Sequence, residues 1–152
     1  MFSSKYFRMA EFLRSDTATR LQIANFPTKE HELNLRRTMK YMDVVRQMGS
    51  GPIKITSGYR SPEVNRLVGG VADSDHALGH ACDFYFPKWN IKFAAPELAT
   101  ALSSHPTLWV PFDQFILEAD RGVMHISFHP RHRRQIKTQT GGPGSPMVEG
   151  IK

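Results

Sequence analysis

The chain has one cysteine, Cys82, so no disulfide framework within the chain can staple it. No apolar run approaches the roughly 20 residues that a membrane-crossing helix requires. The opening segment MFSSKYFRMAEFLRS is interrupted by Arg8, Glu11 and Arg14, and so lacks the apolar stretch of a secretory signal. There is no internal repeat. Aromatic residues are scarce beside Arg131–Arg134, where a surface that stacks nucleic-acid bases would need them, so specific nucleic-acid binding is not expected. These absences leave a chain made in the cytoplasm, without a signal peptide or transmembrane segment, that leaves the cell, if it does, by another route.

What is present is an ordinary globular chain. Its 152 residues suit one domain, able to bury about 68–70% of the surface exposed when unfolded. Hydrophobic residues make up 40% and charged residues 22%, a balance that excludes disordered and fibrous classes. The net charge of +6 belongs to the ends of the chain: residues 51–100 hold five basic and five acidic side chains, against nine and five before them. Arg131, Arg133, Arg134 and Lys137 crowd together near the C-terminus. Such a face favours polyanions without selecting among them, and a solvated basic surface is the simpler reading.

Ser15-Asp16-Thr17 is an N-cap cluster for a helix to about Ala24. From Thr28 a long helix follows, with Leu35, Met39, Met42 and Val45 at helical spacing as a core stripe and Gly49 at its end. Ile53–Thr56 alternates as a strand. Ser61-Pro62 opens a helix to Leu67, and Pro96–Ser104 forms another. Residues 81–86 read as a strand with Asp83 on the face opposite Cys82 and Phe84. Gln114–Glu118 and Val123–Phe128 read as a hairpin joined by Ala119-Asp120-Arg121-Gly122. Elements mix without regular βαβ alternation, so the expected class is α+β, a small central antiparallel sheet with flanking helices. Residues 1–137 form the expected domain, and 138–152 a flexible tail too poor in apolar residues to pack.

Three places carry chemistry. In Ser74-Asp75-His76-Ala77-Leu78-Gly79-His80-Ala81-Cys82-Asp83, an imidazole and a carboxylate lie seven positions apart around a glycine that lets the chain reverse, so a turn can converge them on one metal ion. In Val-Met-His-Ile-Ser-Phe, His125 shares a strand face with Ser127, away from Met124 and Ile126. Three protein ligands leave a fourth position for water, the pattern of a catalytic zinc site. In Thr56-Ser57-Gly58-Tyr59-Arg60-Ser61-Pro62, Arg60 follows a strand and opens a helix, a placement suited to gripping a carboxylate through two hydrogen bonds.

SGYRSPEVNRLVGG, SDHALGHACDF and a late strand histidine together resemble the zinc D-Ala-D-Ala carboxypeptidase-type murein peptidases of the hedgehog/DD-peptidase fold. The family pattern Ser-x-His-x-x-Gly-x-Ala-x-Asp is met at Ser74, His76, Gly79, Ala81 and Asp83. RSDTATRLQIANFP and the helix carrying Asn34-Leu35 are similar to phage and bacterial members, so the likeness spans roughly residues 7 to 130. The resemblance implies one zinc ion per chain held by His76, Asp83 and His125, with Arg60 on a substrate carboxylate or carbonyl and Ser74 supporting the site. It implies hydrolysis of a peptide bond in the stem or crossbridge of peptidoglycan, by a carboxypeptidase or endopeptidase acting at the cell wall; the sequence does not fix the oligomeric state, and a monomer is the favoured expectation. A phage lytic or virion-associated enzyme is the expected setting, and a zinc-holding module of a phage particle without catalysis is the alternative.

One position departs from the pattern. Relatives carry a general-base acid a few residues before the last histidine, often beside a tryptophan, whereas here Gly122 stands three before His125 and no tryptophan is near. Strand geometry decides between two acids. With Asp120-Arg121 at the centre of the turn, Glu118 faces Val123, Ile116 faces His125, and Glu118 shares the face of His125. Asp120 then sits exposed in the turn, so Glu118 is the expected base. Tyr59, grouped with Arg60 and Ser74 as substrate-binding, and Asn65 either support the arginine loop or pack and cap. His80 is expected in a solvent-facing loop, His129 past a strand end, and His31, His105 and His132 on the surface.

Overall fold

The computed structural model describes residues 3–104, 107–142 and 144–152, so the expected surface position of His105 falls outside them. Short polar side chains start the helices as the sequence requires. The Ser15, Thr28 and Ser61 hydroxyls accept the backbone N–H three residues on, at 3.1, 3.1 and 3.3 Å. They open α2 (Asp16–Leu21), α3 (Lys29–Met48) and α4 (Pro62–Leu67). A five-residue helix, α1 (Met9–Leu13), precedes them, opened at Arg8, where the Glu11 carboxylate accepts the Arg8 N–H at 2.7 Å and the Arg8 carbonyl accepts the Glu11 N–H at 3.0 Å. The last helix, α5 (Ile91–Ser104), begins five residues before the expected Pro96. Asn90 caps it, and Pro96 lies inside it, in the second turn, where its missing N–H forfeits one helical bond.

Strands β1 (Lys54–Ser57), β2 (Ala81–Tyr85), β3 (Gln114–Glu118), β4 (Val123–Ser127), β5 (Gln135–Gln139) and β6 (Met147–Glu149) form one sheet in the order β1-β2-β4-β3-β5-β6. The class is α+β as expected, but the sheet is neither small nor purely antiparallel: β3 and β5 run parallel. After β4 the chain crosses back to the far side of β3, and the crossing is held by Asp113. That fully buried carboxylate accepts the Arg133 N–H at 2.9 Å and its guanidinium at 3.0 and 2.8 Å, while the Asp113 carbonyl takes Gln135 N–H.

The clustered arginines are therefore not a solvated basic face. Arg134 gives its guanidinium to the carbonyls of Leu102 and Val110 and lies over the Phe112 ring, and Arg131 bridges Asp75 and Asp113. The stretch 138–152 is expected as a flexible tail, but Thr138 and Gln139 end β5 and Met147–Glu149 form β6 at the sheet edge. β6 pairs with β5, the Thr138 hydroxyl donates to Gly150 O and accepts from Lys152 N, and Ile151 packs on the core. An edge strand held by backbone bonds needs little apolar content, which is why composition misreads it.

One face of the sheet carries the core. Cys82, Phe84, Phe115, Leu117, Met124 and Ile126 meet Phe12 of α1, the predicted Leu35–Val45 stripe of α3, and Leu98 and Leu102 of α5. Each fully buried side chain of that size contributes about 1.5–3 kcal/mol. Among the described residues no helix is long and apolar enough to cross a membrane.

Asn25 ties the N-terminal segment to the β1–α4 loop. Its amide donates to Leu13 O at 2.9 Å and Tyr59 O at 3.0 Å and accepts Ser61 N–H at 2.7 Å, at 9% exposure. Asn25→Ala orphans all three groups. A loss of about 2–4 kcal/mol is expected, read as a lower urea midpoint at unchanged slope.

Candidate active site

Because directly opposed residues in a sheet share a face, the register fixes what lies opposite the core. Asp83 pairs with His125, His125 with Ile116, and Ile116 with Lys137, while Glu118 pairs with Val123 and Gln139. The alternation that buries Cys82, Met124 and Ile126 thus turns Asp83, His125, Ser127 and Glu118 to the other side. The hairpin register is the one that the turn reading predicts, with Asp120 exposed in the turn.

His76 reaches this face from a 3-10 turn, Asp75–Leu78, whose N-cap is Ser74: the Ser74 hydroxyl accepts the His76 N–H at 3.3 Å. Gly79 reverses the chain with φ of 82°, at a point where a Cβ would meet the His31 carbonyl of α3 at 2.5 Å. Asn34 and Thr38 of α3 donate to the carbonyls of Leu78 and Gly79, so the long helix holds the motif in place. Gly58 does the same on the other side. A Cβ there would strike the Phe12 backbone, and its carbonyl accepts the His76 Nδ1–H at 2.8 Å.

That last bond decides the tautomer. With Nδ1 donating to a carbonyl, a neutral His76 carries its lone pair on Nε2, which lies 3.2 Å from both Asp83 Oδ1 and His125 Nδ1; the latter two are 2.9 Å apart. Burial lowers the His76 pKa despite the Asp83 carboxylate, so the neutral ring is favoured. Burial would raise the Asp83 pKa, but the two imidazoles hold it well below the usual carboxylate range. Burial also works against protonated His125, yet the hydrogen bond and charge of Asp83 outweigh it and raise its pKa. An ionised carboxylate and two imidazole nitrogens thus converge within 4.8 Å, with at most one hydrogen, that of His125 Nδ1, to share. The edges of a tetrahedral site with bonds of about 2.0–2.1 Å are about 3.3 Å, and these separations match them closely. The donor set, two nitrogens and one carboxylate oxygen, suits a catalytic zinc ion, and the Gly58 carbonyl is the outer partner that such a histidine needs.

The triad lies in a cleft of about 510 Å³ that Arg60, Ser74, Glu118 and Arg121 also line. Arg60 stands on the loop between β1 and α4, its backbone N–H on His76 O at 3.1 Å and its Nε buried with no acceptor among the described residues. Burial lowers its pKa and Arg121 adds to this, while Asp83 and Glu118 oppose it. Burial and the neighbouring Asp83 raise the pKa of Glu118, against the pull of Arg121, His125 and Arg60. A carboxylate poised in that way is suited to accepting and releasing a proton.

Arg121 is a site residue that the sequence reading passes over. From the turn its Nη1 donates to Glu118 Oε2 at 2.9 Å and its Nη2 lies 3.7 Å from Asp83 Oδ2. The i,i+3 spacing to Glu118 was the available signal. Tyr59, in contrast, is not brought to the cleft: it is 2% exposed, in the core, its ring 5.8 Å from that of His31. Successive residues point to opposite sides in the extended loop, and Arg60 takes the cleft side. Asn65 caps and braces: its amide donates to Val71 O at 2.7 Å and holds the loop at the cleft rim. His80 is half-buried against His129, ring centroids 5.1 Å apart, and faces neither the triad nor open solvent.

Comparison with known proteins gives one family. The sequence model of the family described as Peptidase M15 matches residues 5–116. No curated protein sequence matches the chain. The matched stretch contains Arg60, Ser74, His76 and Asp83; Glu118, Arg121 and His125 lie beyond it and join the site through the β3–β4 hairpin.

Proposed function

The chain belongs to the peptidase M15 family, the zinc D-Ala-D-Ala carboxypeptidase-type peptidases, and from that premise we propose that it is a zinc-dependent hydrolase of a peptide bond in the stem or crossbridge of peptidoglycan. The observation that carries the reading is the convergence of His76 Nε2, Asp83 Oδ1 and His125 Nδ1 in a cleft that also holds the half-buried Glu118 and an arginine whose buried Nε has no acceptor among the described residues. His76, Asp83 and His125 hold the metal. A zinc ion bound there supplies Lewis acidity, lowering the pKa of water to about 7 and polarising a carbonyl.

The side chains do the rest. Glu118 takes a proton from the attacking water at a carboxylate oxygen and returns it to the leaving amine. Arg121, already bonded to Oε2, fixes which way that carboxylate points. Arg60 offers its donors to a carboxylate or carbonyl of the peptide, so that binding becomes orientation of the scissile bond. The Gly58 carbonyl keeps His76 in the tautomer that leaves Nε2 to bind metal. The proposed setting is a phage lytic or virion-associated enzyme acting at the cell wall; what supports it is the likeness of residues 14–27 to phage and bacterial members.

The test uses purified peptidoglycan and a synthetic stem peptide ending in D-Ala-D-Ala. Incubation should release new amines or free D-alanine, stop with a chelator and resume with added zinc. A protein that binds one zinc per chain yet releases nothing from either substrate would overturn the reading in favour of a non-catalytic zinc module.

A further inference from the structure

One end of the cleft is built without reference to the metal. Ser127 lies two residues along β4 from His125 on the same face, a step of about 7 Å. Its hydroxyl donates to the buried Asp75 at 2.6 Å. The same carboxylate receives Arg131 Nη2 at 3.1 and 2.9 Å, and that nitrogen also lies 3.1 Å from the buried Asp113. Two buried carboxylates, reached from 56 residues away at Asp75 and held by Arg133 at Asp113, therefore fix the Arg131 head by a single nitrogen. Its Nε and Nη1 make no hydrogen bond among the described residues, its side chain is 41% exposed, and it lines the cleft.

A guanidinium locked on one side and open on the other has already lost the conformational freedom that a ligand would otherwise have to remove. Its open donors match a carboxylate. The charges agree. The cleft wall carries four acids, Asp73, Asp75, Asp83 and Glu118, against Arg60, Arg121, Arg131 and Arg133, so a divalent ion at the triad makes the cleft net positive.

We propose that Arg131 is a specificity-determining residue, taking a carboxylate that the peptide substrate carries away from the scissile bond. The Ser127 row lies about 7 Å from the His125 row and an extended peptide advances about 3.5 Å per residue, so that carboxylate belongs about two to three residues from the bond cut. The inference rests on the peptidase reading for its substrate, and the site itself stands on Arg131 and its two buried partners.

Two matched peptides test it, identical but for a side-chain carboxylate or carboxamide at that distance. The wild type should cleave the carboxylate peptide with kcat/KM about tenfold or more above the carboxamide, through KM. In Arg131→Gln the preference should vanish, the kcat/KM ratio between the two peptides falling to about one. Arg131→Lys keeps the charge for Asp75 without the fork and should retain part of the preference, which keeps the test usable if Asp75 cannot tolerate glutamine. Equal cleavage of both peptides by the wild type, or an equal loss on both in the variants, would show Arg131 to be a brace only. Calorimetric binding of the same pair to zinc-loaded protein separates the two readings. Arg131-dependent preference in binding without hydrolysis would uphold this site and sink the peptidase.

Discussion

His125→Ala should leave the protein with almost no bound zinc where the wild type holds about one ion per chain, and without detectable hydrolysis. Of the three proposed ligands, His125 is the one that the family match does not reach, so the variant tests the geometry alone. Its Nδ1 lies 2.9 Å from Asp83 Oδ1 and 3.2 Å from His76 Nε2. Removing it leaves a two-ligand site, and losing even an outer-sphere partner of a metal site costs 10–100-fold in affinity. The loss should reach further than activity. Zinc that binds only the folded protein raises its stability by about 2.7 kcal/mol at a hundred times Kd, so the wild type should melt higher with added zinc and His125→Ala should not. The alanine stands on a sheet face bordering the cleft, and the core on the other side of β4, Met124 and Ile126, is untouched. A variant that retains one zinc and its zinc-dependent melting shift would move the metal centre elsewhere.

How much of this was readable beforehand depends on how far apart the partners sit along the chain. The alternation Cys82/Asp83 and Met124/His125 is local, and it put the ligands on one face and the core on the other. The turn 119–122 is local too, and it fixed Glu118 opposite Val123. What failed was long-range. Arg131 and Arg133 looked like solvated charge because their carboxylates, Asp75 and Asp113, are 56 and 20 residues away. β5 was invisible because its core face carries one apolar side chain, Ile136, beside Thr138, while Gln135, Lys137 and Gln139 read as polar loop. β6 is exposed at every position, so no apolar period marks it. Tyr59 was misplaced because its tie to the core, Tyr59 N–H to Phe12 O at 2.7 Å, depends on a helix 47 residues earlier in the chain that is only five residues long.

Glu118→Gln should keep its zinc and lose most of its rate, with kcat down about 10²–10⁴-fold and KM little changed. Glutamine keeps the shape and still offers Arg121 an oxygen, so the turn and the 2.9 Å contact have no reason to break. What it cannot do is take a proton. The wild-type carboxylate is suited to that task because burial and Asp83 raise its pKa while Arg121 keeps it from rising unchecked. The control is Asp120→Asn, two residues on in the same turn and exposed to solvent, which should change neither zinc content nor rate. Zinc analysis and steady-state kinetics on the two variants then separate the outcomes. A slow Glu118→Gln with full zinc beside a normal Asp120→Asn assigns the proton transfer to Glu118. The reverse pattern assigns it to the turn, against the register that pairs Glu118 with Val123 and turns it to the face of His125.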